Sequence, residues 1–355
     1  MVYVDDLLLM GPRKLCEEVA VSLQETFELT TMGAVKYLLG VEILINKTRE
    51  QIVYSQRQYV LEVLKRFHME NCNGSATPEA TTPSASRPDI AHATRHLGKY
   101  LTNYDHTHYT QANRVLRYLK ATSYYGLVMD VQPGEGVEVC AYSDADYAND
   151  PVDRRSISGY VTILDNNVIS YASRKQEINS LSTCEAEYVA VAEATKDLIW
   201  LAGLCKELGW KHPVPLLLGD NQGAIALTAK SGKHSKSKHI DNNYHMVRRN
   251  VKLKRFTTQH VDTDAMVADV MTKALRLVKF TQFRTDSHYW VKTARLLLRL
   301  LRRLCCCCGA TQLAELHLRM RGTRTRAMAI EWECCLLSGF LPTVAADHAT
   351  KLWCR

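Results

Sequence analysis

The alternation of strand and helix patterns that begins at Val137 constrains the fold more than any other feature. Three β-rich runs, the last ending at Ser173, precede a long helical stretch from Thr183 to Leu208. The pattern then alternates strand, helix, helix, strand and helix until about residue 280. This order predicts one α/β domain of about 140 residues, which is a common domain size.

Four acidic residues of this region occupy positions where polar side chains are unusual. Asp144 and Asp220 each follow an apolar strand, and open α/β sheets place their sites at such strand ends. Glu187 shares the predicted apolar stripe of the long helix, and Asp269 borders such a stripe in the last helix. Each residue alone has a simpler explanation as a turn, a cap or a stripe-edge residue.

Taken together, the four acids predict a divalent-cation site. Clustered carboxylates repel one another and need cations, and oxygen ligands favour Mg²⁺, with Mn²⁺ as the alternative. Two such ions ~4 Å apart can hold a phosphodiester and activate a water molecule for hydrolysis. The residues therefore favour metal-dependent phosphodiester chemistry.

A set of motifs identifies a family resemblance over residues 137–280. The segments YSDADYAND, STCEAEYVAV, LLLGDNQGAI and VADVMTKAL, in this order, resemble the ribonuclease H domain of copia-type LTR retrotransposon Pol polyproteins. The resemblance implies a ribonuclease H-like five-stranded mixed sheet with flanking helices, which cleaves the RNA strand of RNA–DNA hybrids with Mg²⁺. It assigns the catalytic, metal-binding acids to Asp144, Glu187, Asp220 and Asp269.

The same resemblance raises the question of a product-release histidine. In many ribonucleases H a His on the loop before the last Asp has this role, and His260 lies nine residues before Asp269. A solvated His at a strand end is the alternative. Because of its position before Asp269, we include His260 among the predicted catalytic residues.

Four basic residues flank the strands near the first Asp and are predicted to contact backbone phosphates: Arg154, Arg155, Arg174 and Lys175. Solvated surface charge is the alternative for each of them. The net charge of +8 does not itself indicate a nucleic-acid partner. Residues 292–355 hold eleven Lys and Arg against four Asp and Glu, so that +7 of the total falls there.

The first 125 residues resemble the end of the adjoining reverse transcriptase. YVDD at residues 3–6 matches its Y-x-D-D hairpin, which implies that Asp5 and Asp6 are metal ligands. The later segments KYLLGVEI and RVLRYLKAT match in order, so residues 1–125 are predicted to be a truncated palm and thumb remnant, with a linker at 71–90. Because the family's other catalytic Asp lies upstream of this motif, we expect no DNA polymerisation by the chain alone.

The remaining part, residues 281–355, is a basic tail rich in Cys and Arg that matches nothing in that family. Seven of the twelve cysteines lie there. Disordered or unrelated read-through sequence is the favoured interpretation, and a nucleic-acid-binding tail is the alternative. The other cysteines are widely spaced in apolar patterns, as expected of reduced thiols in an intracellular protein, cytoplasmic or nuclear. No run of 18 apolar residues exists, so no membrane contact is predicted.

Two functions of different classes follow from these observations. The first is a ribonuclease H-type endonuclease whose partner is an RNA–DNA hybrid, with an association with other Pol products left open. The second is a catalytically silent transposon relic or a nucleic-acid-binding module. The intact carboxylates favour the first, whereas the incomplete polymerase region and the unmatched tail favour the second.

Overall fold

The protein is described here by a computed structural model, which covers residues 2–3, 6–9, 13–27, 29–33, 35–38, 40–46, 51–78, 86–130, 136–229, 238–285, 290–292 and 350–354. The chain divides into two units. The first unit consists of Met1–Leu39 and Ala294–Arg355, and the second consists of Gly40–Thr293. The sequence predicts a boundary between the polymerase remnant and the nuclease-like domain at residues 125–137. This segment lies inside the second unit, and the boundary stays a prediction.

The strands, in chain order, are β1 (Val2–Tyr3), β2 (Asp6–Leu9), β3 (Leu29–Gly33), β4 (Tyr37–Leu38), β5 (Val41–Asn46), β6 (Gln51–Ser55), β7 (Tyr125–Asp130), β8 (Val139–Asp146), β9 (Ile157–Leu164), β10 (Asn167–Lys175), β11 (Leu216–Gly219), β12 (Thr257–His260), β13 (Trp290–Lys292) and β14 (Thr350–Cys354). The α-helices are α1 (Arg13–Gln24), α2 (Arg57–Arg66), α3 (Ala91–Gly98), α4 (His106–Ala121), α5 (Thr183–Glu207), α6 (Gln222–Ala229), α7 (Lys238–Lys252), α8 (Asp269–Thr272) and α9 (Leu277–Thr285). Two 3₁₀ turns span Pro88–Ile90 and Thr263–Ala265. Among these helices, none combines the length and the apolar character needed to cross a bilayer.

The first unit contains the hairpin that the YVDD motif predicts. β1 and β2 pair antiparallel, with Tyr3 opposite Asp6. β14 joins this sheet between β2 and β3 and runs antiparallel to both. β14 therefore brings a short part of the predicted 281–355 tail into a sheet, whereas most of that tail lies outside the described residues.

The second unit contains an antiparallel sheet in which β6 lies between β5 and β7, and β13 pairs with the outer edge of β7. The helices α2, α3 and α4 come between β6 and β7 along the chain. The final residues of the predicted linker are not exposed: Arg87, Asp89 and Ile90 are all buried. The end of the segment 71–90 therefore lies in the protein interior and is not an exposed linker.

The larger sheet of this unit has the order β10-β9-β8-β11-β12. β10, β9 and β8 pair antiparallel, whereas β8, β11 and β12 are parallel. This arrangement confirms the expected ribonuclease H-like five-stranded mixed sheet with flanking helices. Both faces of β9 are covered, and its residues from Ile157 to Ile163 are all buried.

Alternating residues of the central strands supply two separate cores. Val139 and Ala141 of β8 pack with the apolar stripe of α5. Val161 and Ile163 of β9 lie in the other core, which also includes side chains of α2, α3, α4, α8 and α9. The second face of the nuclease-like sheet is thus covered largely by residues of the region assigned to the polymerase remnant.

Two sequence predictions about this region were wrong in detail. The sequence predicts one continuous last helix around Asp269, but the structure has the 3₁₀ turn Thr263–Ala265, α8 and α9 in its place. Met266 and Lys273 adopt extended backbone, with ψ of 98° and 148°, and so interrupt the helix. In addition, β8 extends to Asp146, so Asp144 lies within the strand instead of following it.

Replacing Gly159 with Ala is expected to destabilise this region by ~1–3 kcal/mol, the usual cost of overpacking. A Cβ atom at Gly159 would stand 2.6 Å from Thr272 Cγ2 and 2.7 Å from Met271 Cβ, both in α8. Gly203→Ala in α5 is the control, because a Cβ there has no neighbour within 4 Å and Ala favours the helix. Thermal unfolding should show a lower Tm for Gly159→Ala alone, and equal Tm values for both variants would contradict the packing.

Candidate active site

The strand register brings Asp144 and Asp220 together. The parallel strands β8 and β11 pair Ser143 with Gly219, and the next residue on each strand is an Asp. Both carboxylates therefore stand at the same level on neighbouring strands. Asp144 is fully buried, whereas Asp220 is only partly buried at the end of its strand.

Glu187 approaches from helix α5, which starts after the N-cap residue Ser182. The helix lies close to β8 because the touching side chains are small: Ala145, Ala186 and Ala190 form a buried cluster. The backbone N–H of Ala145 donates a hydrogen bond to the Glu187 carboxylate. Glu187 itself is only 8% exposed.

These three carboxylates form one cluster. Asp144, Glu187 and Asp220 each offer an oxygen that lies within 4.8 Å of the other two. Burial, followed by the charges of Asp144 and Asp220, raises the pKa of Glu187 to about 9. Burial also raises the pKa of Asp144 to about 6, although the Lys273 ammonium opposes this shift. Such a group is costly to ionise without a cation.

The donor set of the cluster fits a divalent cation. It consists of carboxylate oxygens only, and these suit Mg²⁺ or Mn²⁺ better than softer metals. A cation at this place would also relieve the repulsion that raises the pKa of Glu187. The ion could be held by Asp144, Glu187 and Asp220.

Asp269, the fourth predicted acid, is placed differently. Its buried carboxylate accepts hydrogen bonds from Lys273 Nζ at 2.8 Å and from Lys279 Nζ at 2.6 Å. Lys273 Nζ also lies 3.1 Å from Asp144 Oδ1. An ammonium group therefore connects Asp269 to Asp144, and among the residues described Asp269 is not a member of the three-carboxylate cluster.

Sequence reasoning missed the residues that hold these acids. Thr272 Oγ1 donates a hydrogen bond to Asp144 Oδ2, and Thr263 Oγ1 donates one to Asp220 Oδ2 at 3.0 Å. Lys273 stands four residues after Asp269, a spacing typical of helical ion pairs. This spacing could have predicted the ion pair between the two residues from the sequence. The Thr263 contact had no sequence signal, because it depends on how the loop after β12 folds back.

His260 lies beside the cluster. It ends β12 opposite Gly219, and its Nε2 is 3.1 Å from the backbone oxygen of Asp220. The imidazole is thus close to one of the clustered acids. Its role in product release stays a prediction.

The basic residues predicted to contact phosphates have different environments. Lys175 Nζ is 2.7 Å from carboxylate oxygens of both Asp150 and Asp153, so its charge is compensated within the protein. Arg155 Nε is 3.5 Å from Asp153. Arg154 and Arg174 are exposed. Phosphate contacts by these residues stay predictions.

The two acids of the YVDD motif cannot be compared with this site. Asp5 lies outside the described residues. For Asp6 the structure gives the strand pairing of its backbone in β2. Their metal-binding role stays a prediction.

Comparison with known proteins supports the similarity that the motifs indicate. The family described as reverse transcriptase (RNA-dependent DNA polymerase) matches residues 1–81. The retrovirus-related Pol polyprotein from transposon RE2 of Arabidopsis thaliana is 33% identical over 312 residues, which cover 80% of this chain and 21% of the relative. The corresponding polyprotein from transposon TNT 1-94 of Nicotiana tabacum is 31% identical over 314 residues, covering 79% and 23%.

Solved structures give a weaker likeness. The LC11-RNase H1 chain in complex with an RNA/DNA hybrid has a TM-score of 0.30 and 14% identity, covering 38% of this chain and 94% of its own. The fold assignment therefore rests on strand order and direction. The chain spans about a fifth of the length of the curated relatives that it matches. Over about four fifths of its length, the chain is similar in sequence to the Pol polyproteins of copia-type retrotransposons.

Proposed function

We propose that the chain is a metal-dependent endonuclease that hydrolyses the RNA strand of RNA–DNA hybrids. The observation that carries this proposal is the convergence of Asp144, Glu187 and Asp220 within 4.8 Å on a ribonuclease H-like sheet. When bound, a Mg²⁺ or Mn²⁺ ion there supplies Lewis-acid stabilisation of the scissile phosphate. The similarity to retrotransposon Pol polyproteins supports the choice of nucleic acid as substrate.

The protein's own residues have separate parts in this function. Asp144 is held rigidly within β8 by hydrogen bonds from Thr272 and Lys273. Glu187, with its pKa raised to about 9 by burial and by the neighbouring Asp144 and Asp220, holds a proton at neutral pH until a cation arrives. Asp220 is the most exposed of the three.

Other parts of the proposal rest on the similarity to retrotransposon Pol polyproteins alone. These are contact of Arg154 and Arg174 with the hybrid backbone, association with other Pol products, and an intracellular location. Arg154 and Arg174 are exposed, as a phosphate contact requires. The ion pairs of Lys175 with Asp150 and Asp153 favour a role in stabilising the fold over a contact with phosphate.

Cleavage of a labelled RNA strand in a hybrid, with Mg²⁺ or with a chelator, tests the proposal. The purified chain should cut the RNA only with Mg²⁺, and Asp220→Asn should reduce the rate by at least ~100-fold, since a direct ligand matters no less than its supporting residues. Asp262→Asn, an exposed acid in the nearby loop, is the matched control and should cleave normally. The proposal fails if the wild type does not cleave, or if Asp220→Asn cleaves equally well.

A further inference from the structure

Lys273 stands between two buried carboxylates next to the proposed metal cluster. Its Nζ donates hydrogen bonds to Asp144 Oδ1 at 3.1 Å and to Asp269 Oδ1 at 2.8 Å. The side chains of Asp144 and Asp269 are 1% and 2% exposed, and that of Lys273 is 35% exposed. The ammonium group thus bridges two desolvated acids, as a metal ion would.

The charges of the whole group support one divalent ion. The second oxygen of Asp269 accepts a hydrogen bond from Lys279, which is also bonded to the backbone oxygen of Thr263. When a cation has displaced the proton of Glu187, the four ionised carboxylates and the two ammonium groups together carry two negative charges, which one divalent ion neutralises. The lysine contacts fall on Asp144 and Asp269, and among the residues described no ion pair involves Glu187 or Asp220.

An ammonium group and a second metal ion cannot share this place. Both would lie between Asp144 and Asp269, and two like charges in a poorly solvated site repel strongly. Carboxylate oxygens have more than one lone pair, so Asp144 can keep its Lys273 contact and still offer an oxygen to an ion in the cluster. The first ion and Lys273 are therefore compatible, whereas a second ion must displace Lys273.

We infer that the Lys273 ammonium occupies the second cation position, between Asp144 and Asp269, as a built-in counter-ion. The chain then binds one divalent ion tightly at Asp144, Glu187 and Asp220, and it takes a second ion only when Lys273 swings away. Lys273 is a positioning residue for Asp144 in this scheme. The inference rests on the proposed function, because it concerns the same metal site.

Counting bound Mn²⁺ by electron paramagnetic resonance tests the inference on the full chain. The wild type should bind one tight Mn²⁺, whereas Lys273→Met should bind a second at least ten-fold more tightly than the wild type does. Lys279→Met is the matched control: it loses a contact with Asp269 but keeps Lys273 in place, so its count should stay at one. An unchanged count in Lys273→Met would overturn the inference.

A second measurement uses the wild type, because Lys273→Met leaves buried acids short of a partner and can fail to fold. Anomalous scattering from crystals soaked in increasing Mn²⁺ should show one ion at the cluster while Lys273 contacts Asp144. A second ion should appear only where the Lys273 side chain has moved. Two ions with that contact intact would contradict the inference.

The outcomes separate this inference from the proposed function. Metal-dependent RNA cleavage together with an unchanged Mn²⁺ count in Lys273→Met rejects the counter-ion alone. Absence of any bound Mn²⁺ in the wild type rejects both the counter-ion and the metal site.

Discussion

Replacing Arg87 with Met is expected to lower the free energy of unfolding by about 3–5 kcal/mol, the cost of leaving one partner of a buried ion pair uncompensated. Arg87 is 1% exposed, although it lies in a segment whose composition predicts a linker. Its Nε and Nη2 donate to the two carboxylate oxygens of Asp89 at 3.0 and 2.9 Å. Without the guanidinium, Asp89 would be a buried charge without its cation.

The surroundings of this pair explain why the effect should be large. Arg87 also donates to the backbone and side-chain oxygens of Thr122, at 3.1 and 2.7 Å, and Tyr118 donates to Asp89 at 2.5 Å. Tyr171 of β10 is hydrogen-bonded to the backbone of Arg87. The network therefore joins the segment before α3 to α4 and to the nuclease-like sheet.

Chemical denaturation of the full chain measures this effect. Arg66→Met, an exposed Arg at the end of α2, is the control and should change stability by less than about 0.5 kcal/mol. The double variant Arg87→Met with Asp89→Leu should recover part of the loss, because the uncompensated charge is gone. A loss below about 1 kcal/mol for Arg87→Met would show that the network does not hold the fold together.

Replacing Glu187 with Gln is expected to have opposite effects on stability and on activity. Burial and the neighbouring acids raise the Glu187 pKa from its ordinary value near 4.5 to about 9. Between these values the folded protein holds a proton that the unfolded chain has lost, so metal-free stability should fall as the pH rises from ~4.5 to ~9. Gln carries no such charge, so the variant should be more stable than the wild type at pH 8.5 and lose at least ~100-fold in RNA cleavage.

Thermal unfolding in the presence of a chelator, at pH 6 and at pH 8.5, checks the stability part. The Tm difference between Glu187→Gln and the wild type should widen at the higher pH, by several degrees. Glu207→Gln, an exposed acid at the end of the same helix, should show no such pH dependence. A variant that is less stable than the wild type at pH 8.5 would contradict the account of the cluster.

The sequence contains enough information to bring Asp144, Glu187 and Asp220 to one place, for identifiable reasons. Strand ends, an acid on an apolar helical stripe and an ordered set of motifs are local signals. Parallel pairing of β8 with β11 then places two of the acids side by side. Periodicity predicts one α/β domain, and the resemblance of the motifs to a ribonuclease H domain implies the five-stranded mixed sheet that the structure shows.

Contacts between distant segments were not predictable in this way. Thr272 and Lys273 reach Asp144 only because the chain bends at Met266 and α8 packs onto Gly159, which faces Asp144 across the strands. The coverage of the second sheet face by α3 and α4 has a similar origin. Helical periodicity gives an apolar stripe but does not say which surface it covers, and a buried Arg87 runs against the usual preference of Arg for solvent.

The effect of Mg²⁺ on thermal unfolding at pH 8 tests most directly whether the three acids form a divalent-cation site. An ion at about 100 times its dissociation constant adds about 2.7 kcal/mol to the stability of the folded state. The wild type should therefore show a Tm higher by roughly 5–10 °C with Mg²⁺ than with chelator. Glu187→Gln should show little increase, since it lacks one of the charged ligands. No increase in the wild type, or an equal increase in both proteins, would contradict a metal site at Asp144, Glu187 and Asp220.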